Sequence, residues 1–315
     1  MTPITRRTFA LGLGMGMGLT VLPAARGGSP AAARQARPVK IGSKNFTEQL
    51  ILGEMYAMLL EKAGIPVEKR LNLGGTAVAH EALKKGEIDL YPEYTGTGLT
   101  VVLQVPIESV QATPVAADET IDERVYQLVQ EGYAADGLVW LDQSPFNNTQ
   151  ALAVKRAFAE EKGIATISDL AKIAGETIIV APSDFVERPD GLKGLEGAYG
   201  LAFKEALSVE PGIRYQAIEQ DKAQVVLAFG TDGQVSGLDL VLLEDDKALW
   251  PPYHVAPVVR QATLDAYPAL ADSLNALAPL LTDEAMSALN WKVDGPDKLE
   301  PDEVAQAFLA ENGLA

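Results

Sequence analysis

The feature that most constrains this chain is the alternation of strand-like and helix-like periods that sets in after Pro38. The stretch "VKIGSKNFTEQLILGEMYAMLLEKAGI" opens with a short apolar strand around Val39 to Gly42 and passes directly into a helix. Asn45 with Glu48 three residues on reads as a capping pair, Gly64 ends the apolar periodicity and Pro66 prevents continuation. "VEKRLNLGGTAVAHEALKKGEIDLYPEY" then reads as strand, glycine turn, helix and strand. Such alternation predicts an α/β sheet.

Further along, "YTGTGLTVVLQVP" starts another helix and Ile121 to Tyr133 is clearly amphipathic. Beyond it the pattern predicts a strand from Thr177 to Val180, a helix from Gly197 to Leu207, a strand at "IRYQAI" and a helix from Gln220 to Phe229. Two more strands flank the Pro251 and Pro252 break, and everything after Thr263 reads as helical. Two α/β units, on either side of Asp142 to Asn148 and with a second crossover near Asp245 to Pro252, describe two lobes joined by two strands. Residues 39–145 plus 250–315 would form lobe 1 and residues 146–249 lobe 2. Ligands of such sheets sit outside the carboxyl ends of the strands, and Tyr91 to Thr97 lies at one such end.

With 315 residues, of which 47% are hydrophobic, the chain can bury the core that two lobes need. A net charge of -17 without clustered Lys and Arg excludes a phosphate-binding surface, hence nucleic acid, and suits a freely diffusing monomer. The amino terminus, "TRRTFALGLGMGMGLTVLPAARGG", pairs Arg6 and Arg7 ahead of a glycine-rich apolar run from Phe9 to Leu22. This reads as a twin-arginine export signal, with residues 1–38 forming signal and linker; the run is too short and too rich in glycine for a membrane span. The chain has no cysteine, so there is no disulfide, no thiol nucleophile and no residue to carry a lipid anchor. The expectation is a free protein in a periplasm.

Reactive groups are scarce. Of the two histidines, His80 lies inside a helix and reads as a packed or surface histidine rather than a base, so a serine triad is poorly supplied. "LEDDK" at Leu243 to Lys247 reads as a solvated loop rather than a metal site, and "GGT" at Gly74 to Thr76 lacks the lysine and spacing of a phosphate loop. Asp89 and Glu93 would aim the same way along a strand, but Pro92 is expected to break the pleat between them. The sequence therefore predicts no catalytic residue, no metal and no cofactor.

"IGSKNFTEQLILGEMYA", "GEIDLYPEYTGTGL", "FNNTQALAV", "ERPDGLKGLEGAYGL", "FGTDGQ", "LEDDK" and "PPYHVAPVVR" appear in one order. Together they resemble the substrate-binding proteins of glycine betaine, choline and carnitine ABC importers, across nearly all of the chain after residue 38. The resemblance implies a type II periplasmic-binding fold that hinges shut on a compatible solute and hands it to a permease and, through it, an ATPase. It implies aromatic positions around a trimethylammonium head at Tyr94, Gln150, Phe229 and Tyr253, and carboxylate-gripping positions at Lys44, Thr97 and Arg188. A quaternary ammonium has no N–H to donate, so ring faces recognise it, each contributing about 0.5 to 2 kcal/mol. A carboxylate calls instead for the forked donors of an arginine and the charge of a lysine.

One corner departs from the family pattern. Gln150 stands where the family usually has tyrosine, and Phe229 replaces another tyrosine without loss of its face. A lost ring should cost about 1 to 2 kcal/mol with glycine betaine. Alternatively the Gln150 amide, with Asn147 or Asn148, meets a polar part of a larger ligand. The rival readings are a receptor for another trimethylated or amino-acid-like compound such as carnitine or ergothioneine, and an envelope enzyme acting on such amines.

Overall fold

The computed structural model of the protein describes residues 37–111, 119–187, 191–210 and 213–315. The expected export signal and Arg188 lie outside the described residues. The strands are β1 (Val39–Gly42), β2 (Val67–Arg70), β3 (Leu90–Tyr94), β4 (Leu138–Trp140), β5 (Gln150–Lys155), β6 (Ile178–Ala181), β7 (Glu205–Ser208), β8 (Val225–Phe229), β9 (Leu240–Leu243) and β10 (Val255–Arg260). They form two five-stranded sheets, ordered β2-β1-β3-β10-β4 and β7-β6-β8-β5-β9. In each sheet three strands run parallel, and two are antiparallel to their neighbours. The chain passes between the sheets twice, at 141–149 and at 244–254, so β10 returns to complete the first sheet after the whole second sheet has been laid down. This is the two-lobed α/β architecture expected from the alternation.

Helix α1 (Thr47–Lys62) fills the first lobe, with Ile51, Leu52, Met55, Tyr56 and Leu60 buried against the sheet. Helices α4 (Asp283–Asp294) and α5 (Pro301–Glu311) cover its other side. Helix α2 (Thr76–Lys85) ends at left-handed Gly86, and α3 (Ile121–Ala134), expected as an amphipathic helix, begins at a capping box of Thr120 with Glu123. The "YTGTGL" stretch turns helical at Thr95 and continues as a π-helical turn over Gly98–Val102.

Three expectations are corrected in the second lobe. "RYQAI" lies in a helix, Arg214–Glu219, that buries Tyr215 and Ile218 at a spacing of three. The expected helix from Gln220 to Phe229 is β8, whose Val225 and Leu227 enter one core cluster and Val226 and Ala228 another, so both faces of this central strand are buried. A central strand buried on both faces is a continuous apolar run, which periodicity cannot tell from a buried helix. The expected helix to Leu207 ends at left-handed Gly200, and Glu205–Ser208 forms an edge strand instead.

Pro92, expected to break the pleat, sits within β3 opposite Pro257 of β10. With Thr95 N–H donating to the His254 carbonyl and Arg260 N–H to the Asp89 carbonyl, that pair falls at a position where neither residue donates across the ladder. The register with β1 has already ended at Leu90, so the missing N–H is not called on from that side either.

Candidate functional site

The end of β3 brings Tyr91 to Thr97 to the first lobe's boundary. Tyr94, buried at 4% exposure, sends its hydroxyl to Glu48 Oε1 at 2.6 Å. Glu48 does not cap its helix: the residue before α1 is Phe46, which makes no side-chain cap, and the Glu48 carboxylate turns inward. Its Oε1 also accepts from Asn148 Nδ2 at 2.8 Å, and its Oε2 accepts from Thr231 Oγ1 at 2.5 Å and Asn290 Nδ2 at 2.9 Å. These partners come from four places: the end of β3, the first crossover, the loop after β8 in the second lobe, and α4. Burial raises the Glu48 carboxyl above its usual range, with the four donors pulling the other way. Burial, followed by the Glu48 charge, pushes the Tyr94 phenol well above its usual value.

Lys44 is buried at the end of β1, with its Nζ 2.5 Å from Glu93 Oε1 and 3.4 Å from Thr76 Oγ1. The same ammonium lies 4.8 Å from the centre of the Tyr94 ring and 6.0 Å from that of Phe46, while the two rings stack at 6.2 Å. A cation already rests on this aromatic pair, held there by a carboxylate. Tyr91 donates to the other oxygen of Glu93 at 2.9 Å.

From the second lobe, Gln150 opens β5 opposite Phe229, the last residue of β8. Its Nε2 lies 3.3 Å from the Tyr253 hydroxyl, which arrives on the second crossover. The crossovers are tied together here: Asn148 N–H donates to the Tyr253 carbonyl at 3.1 Å, and Tyr253 N–H to Asn147 Oδ1 at 2.8 Å. Gly96 lets the Tyr253 ring approach, since a Cβ at that position would stand 2.8 Å from both Tyr253 Cε1 and the Pro252 carbonyl. The guanidinium of Arg214 lies 5.5 Å from the Phe229 ring centre and is paired with Asp232, which also accepts from Phe229 N–H at 2.8 Å. Thr97 sits half-buried on the short helix after β3 and makes no side-chain hydrogen bond among the described residues.

Of the residues singled out in the sequence, Gln150 bonds Tyr253 and pairs with Phe229 across β5 and β8, while Tyr94 reaches the crossover and the second lobe through Glu48, which Asn148 and Thr231 share. Lys44 joins Tyr94 but is engaged by Glu93. Sequence reasoning missed Glu48, which a capping pair explained away, and also Phe46, Thr231, Asn290 and Arg214. It also undervalued "LEDDK": the Asp245 carboxylate accepts from Leu249 N–H at 3.0 Å and Trp250 N–H at 2.9 Å and is bonded to Tyr199, so it shapes the second crossover. His80 is packed edge-on against Tyr133 at 5.2 Å, as expected. Among the described residues no group of three His, Asp or Glu side chains could hold a metal, and no helix is long and apolar enough to cross a membrane.

Residues 37–311, which span both sheets and the ring-lined junction, match the model of the family described as the substrate-binding domain of the ABC-type glycine betaine transport system. The chain belongs to that family. A glycine-betaine-binding protein of Pseudomonas aeruginosa is 35% identical over 296 residues, covering 90% of this chain and 91% of its own length. The ergothioneine transport permease/ergothioneine binding protein EgtU of Helicobacter pylori is 36% identical over 287 residues, covering 90% of this chain, which spans 49% of that longer protein. Among solved structures, that of a glycine betaine/carnitine/choline ABC transporter protein superposes with a TM-score of 0.74 at 28% identity, covering 88% of this chain and 99% of the other. A member of this glycine betaine substrate-binding family is a solute-binding component of ABC import and not an enzyme.

Proposed function

We propose that this protein is a periplasmic receptor that holds a quaternary amine between its two lobes and delivers it to an ABC permease and, through it, the ATPase. The observation that carries the reading is the Gln150 bond to Tyr253 beside Phe229, with Tyr94 linked to the same crossovers through Glu48 and Asn148. Ring faces are what a cation without N–H groups requires, and their origin in separate lobes makes ligand binding and closure one event. With lobe 1 as residues 39–145 plus 250–315 and lobe 2 as residues 146–249, a ligand bridging both favours the closed population that a permease recognises. Lys44, Thr97 and Arg188 would then face the ligand's carboxylate. Export by the twin-arginine signal and a monomeric, unanchored state belong to the same proposal.

Gln150 supports a second reading, a larger trimethylated ligand such as carnitine or ergothioneine, because an amide in place of a ring offers hydrogen bonds where glycine betaine has only methyl groups. Titration calorimetry with glycine betaine, choline, carnitine, ergothioneine and proline decides among them. Micromolar or tighter binding of at least one trimethylated compound, with proline far weaker, is expected; binding of proline alone would overturn the quaternary-amine assignment.

A further inference from the structure

Glu48 is the buried acid that the binding reading does not use. Its four hydrogen-bond partners, Tyr94, Asn148, Thr231 and Asn290, are neutral. The neighbouring acids are matched by cations: buried Glu93 by Lys44, buried Asp89 by Arg37 at 2.6 Å, and half-buried Asp232 by Arg214. Two donors on each oxygen fill the lone-pair sites of an ionised carboxylate, and the Asn290 amide is oriented by the Thr231 carbonyl as well, at 3.0 Å. The four donors suit the ionised form of a buried carboxyl that makes no salt bridge among the described residues, and they oppose the burial that favours its neutral form. An uncompensated buried charge is strongly unfavourable and calls for a cation that arrives later.

Tyr94 is the side chain through which such a cation would meet it. A phenol that donates a short hydrogen bond to a carboxylate is polarised toward the ring, which makes the ring face more negative. The Lys44 ammonium near the same ring is already answered by Glu93, so Glu48 is the negative charge left for a ligand. We propose that Glu48 is the fixed counter-charge of the site, acting through the Tyr94 ring so that a quaternary ammonium is selected over a neutral group of the same shape. This rests on the quaternary-amine reading above. Glu48 is a positioning residue in this scheme, and it supplies its charge at the junction itself, because its remaining bonds reach the crossover, the second lobe and α4.

The test separates charge from shape. Glycine betaine and 3,3-dimethylbutanoate differ by nitrogen against carbon at the head, as do choline and 3,3-dimethylbutanol, and both pairs are titrated by NMR against the full chain. Wild type is expected to prefer the ammonium member of a pair. Glu48→Gln should cut that preference about tenfold, the scale of one charge across a ring in a protein interior, while leaving the tert-butyl member within about twofold. Thr231→Val, which removes a bond to Glu48 but keeps the charge, should retain the wild-type preference. If Glu48→Gln does not fold, Tyr94→Phe severs the link between ring and carboxylate and should lower the preference by a smaller factor. Equal weakening of both members, or an unchanged preference in Glu48→Gln or its substitute, overturns the counter-charge assignment alone. Failure of wild type to prefer the ammonium member of either pair overturns this inference, and failure to bind any trimethylated compound, carnitine and ergothioneine included, overturns the quaternary-amine reading with it.

Discussion

Tyr94 carries two loads that separate substitutions can pull apart. In the proposed site its ring faces the methylated cation, and its hydroxyl is one of four donors to a buried carboxylate. Tyr94→Ala should therefore weaken the best trimethylated ligand by tenfold or more in calorimetry, since it removes a ring worth about 0.5 to 2 kcal/mol and a buried donor. An unchanged affinity would remove Tyr94 from the binding surface. At Gln150 the expectation runs the other way. Tyrosine there restores a ring next to Tyr253 and should tighten glycine betaine by about tenfold, whereas equal or weaker binding would show that the Gln150 side chain does not face the ligand. The sequence announced both positions, because a tyrosine at a strand end and a departure from a family motif are visible in one dimension. It could not announce Glu48. A glutamate three residues after an asparagine caps a helix when it points back along the chain and seeds a buried network when it points inward, and only the packing of four distant elements decides which.

At the scale of elements, the periods were legible wherever one face of an element meets water. Helix α3, with its capping box, and the strand-to-helix passage at β1 and α1 are cases in point. Legibility failed at β8 and at Arg214–Glu219, where burial on all sides or a short amphipathic turn leaves no contrast to read. Pro92 failed for a different reason: whether a proline breaks a strand depends on which neighbour needs its N–H, and register is a property of the assembled sheet. Gly96 shows the same dependence. A methyl at that position meets the Pro252 carbonyl at 2.8 Å, and a backbone carbonyl cannot swing aside as a side chain can. Gly96→Ala should lower stability by about 1 to 3 kcal/mol, read as a fall in the urea midpoint, and should weaken ligand binding through the displaced Tyr253 ring. A midpoint equal to wild type would mean that the crossover yields freely.

At the scale of the whole molecule, the two crossovers are tied to each other and to the first lobe through one imidazole. His254 Nδ1 faces the carbonyls of Ser144 at 3.1 Å and Phe146 at 2.9 Å on the other crossover, and its Nε2 faces Asp122 Oδ2 at 3.0 Å on α3. Burial alone would lower its pKa, but the bond to Asp122, that residue's charge and the two carbonyls raise it above the usual histidine value. A folded-state pKa above the unfolded one gives stability that is complete below the unfolded value and is lost as pH rises through the folded value. The stability gap between wild type and His254→Gln in urea unfolding should therefore be wider at about pH 5.5 than at about pH 8. A gap that does not change with pH would mean that the imidazole is held neutral throughout. The central claim is larger than any one anchor: a methylated cation is enclosed by rings contributed from both lobes. It is tested most directly by a crystal structure of the protein with its tightest trimethylated ligand. The account predicts the methyl groups against Tyr94, Phe229 and Tyr253, with the two sheets closed around them. A ligand bound away from those rings, or one held by a single lobe, would contradict it.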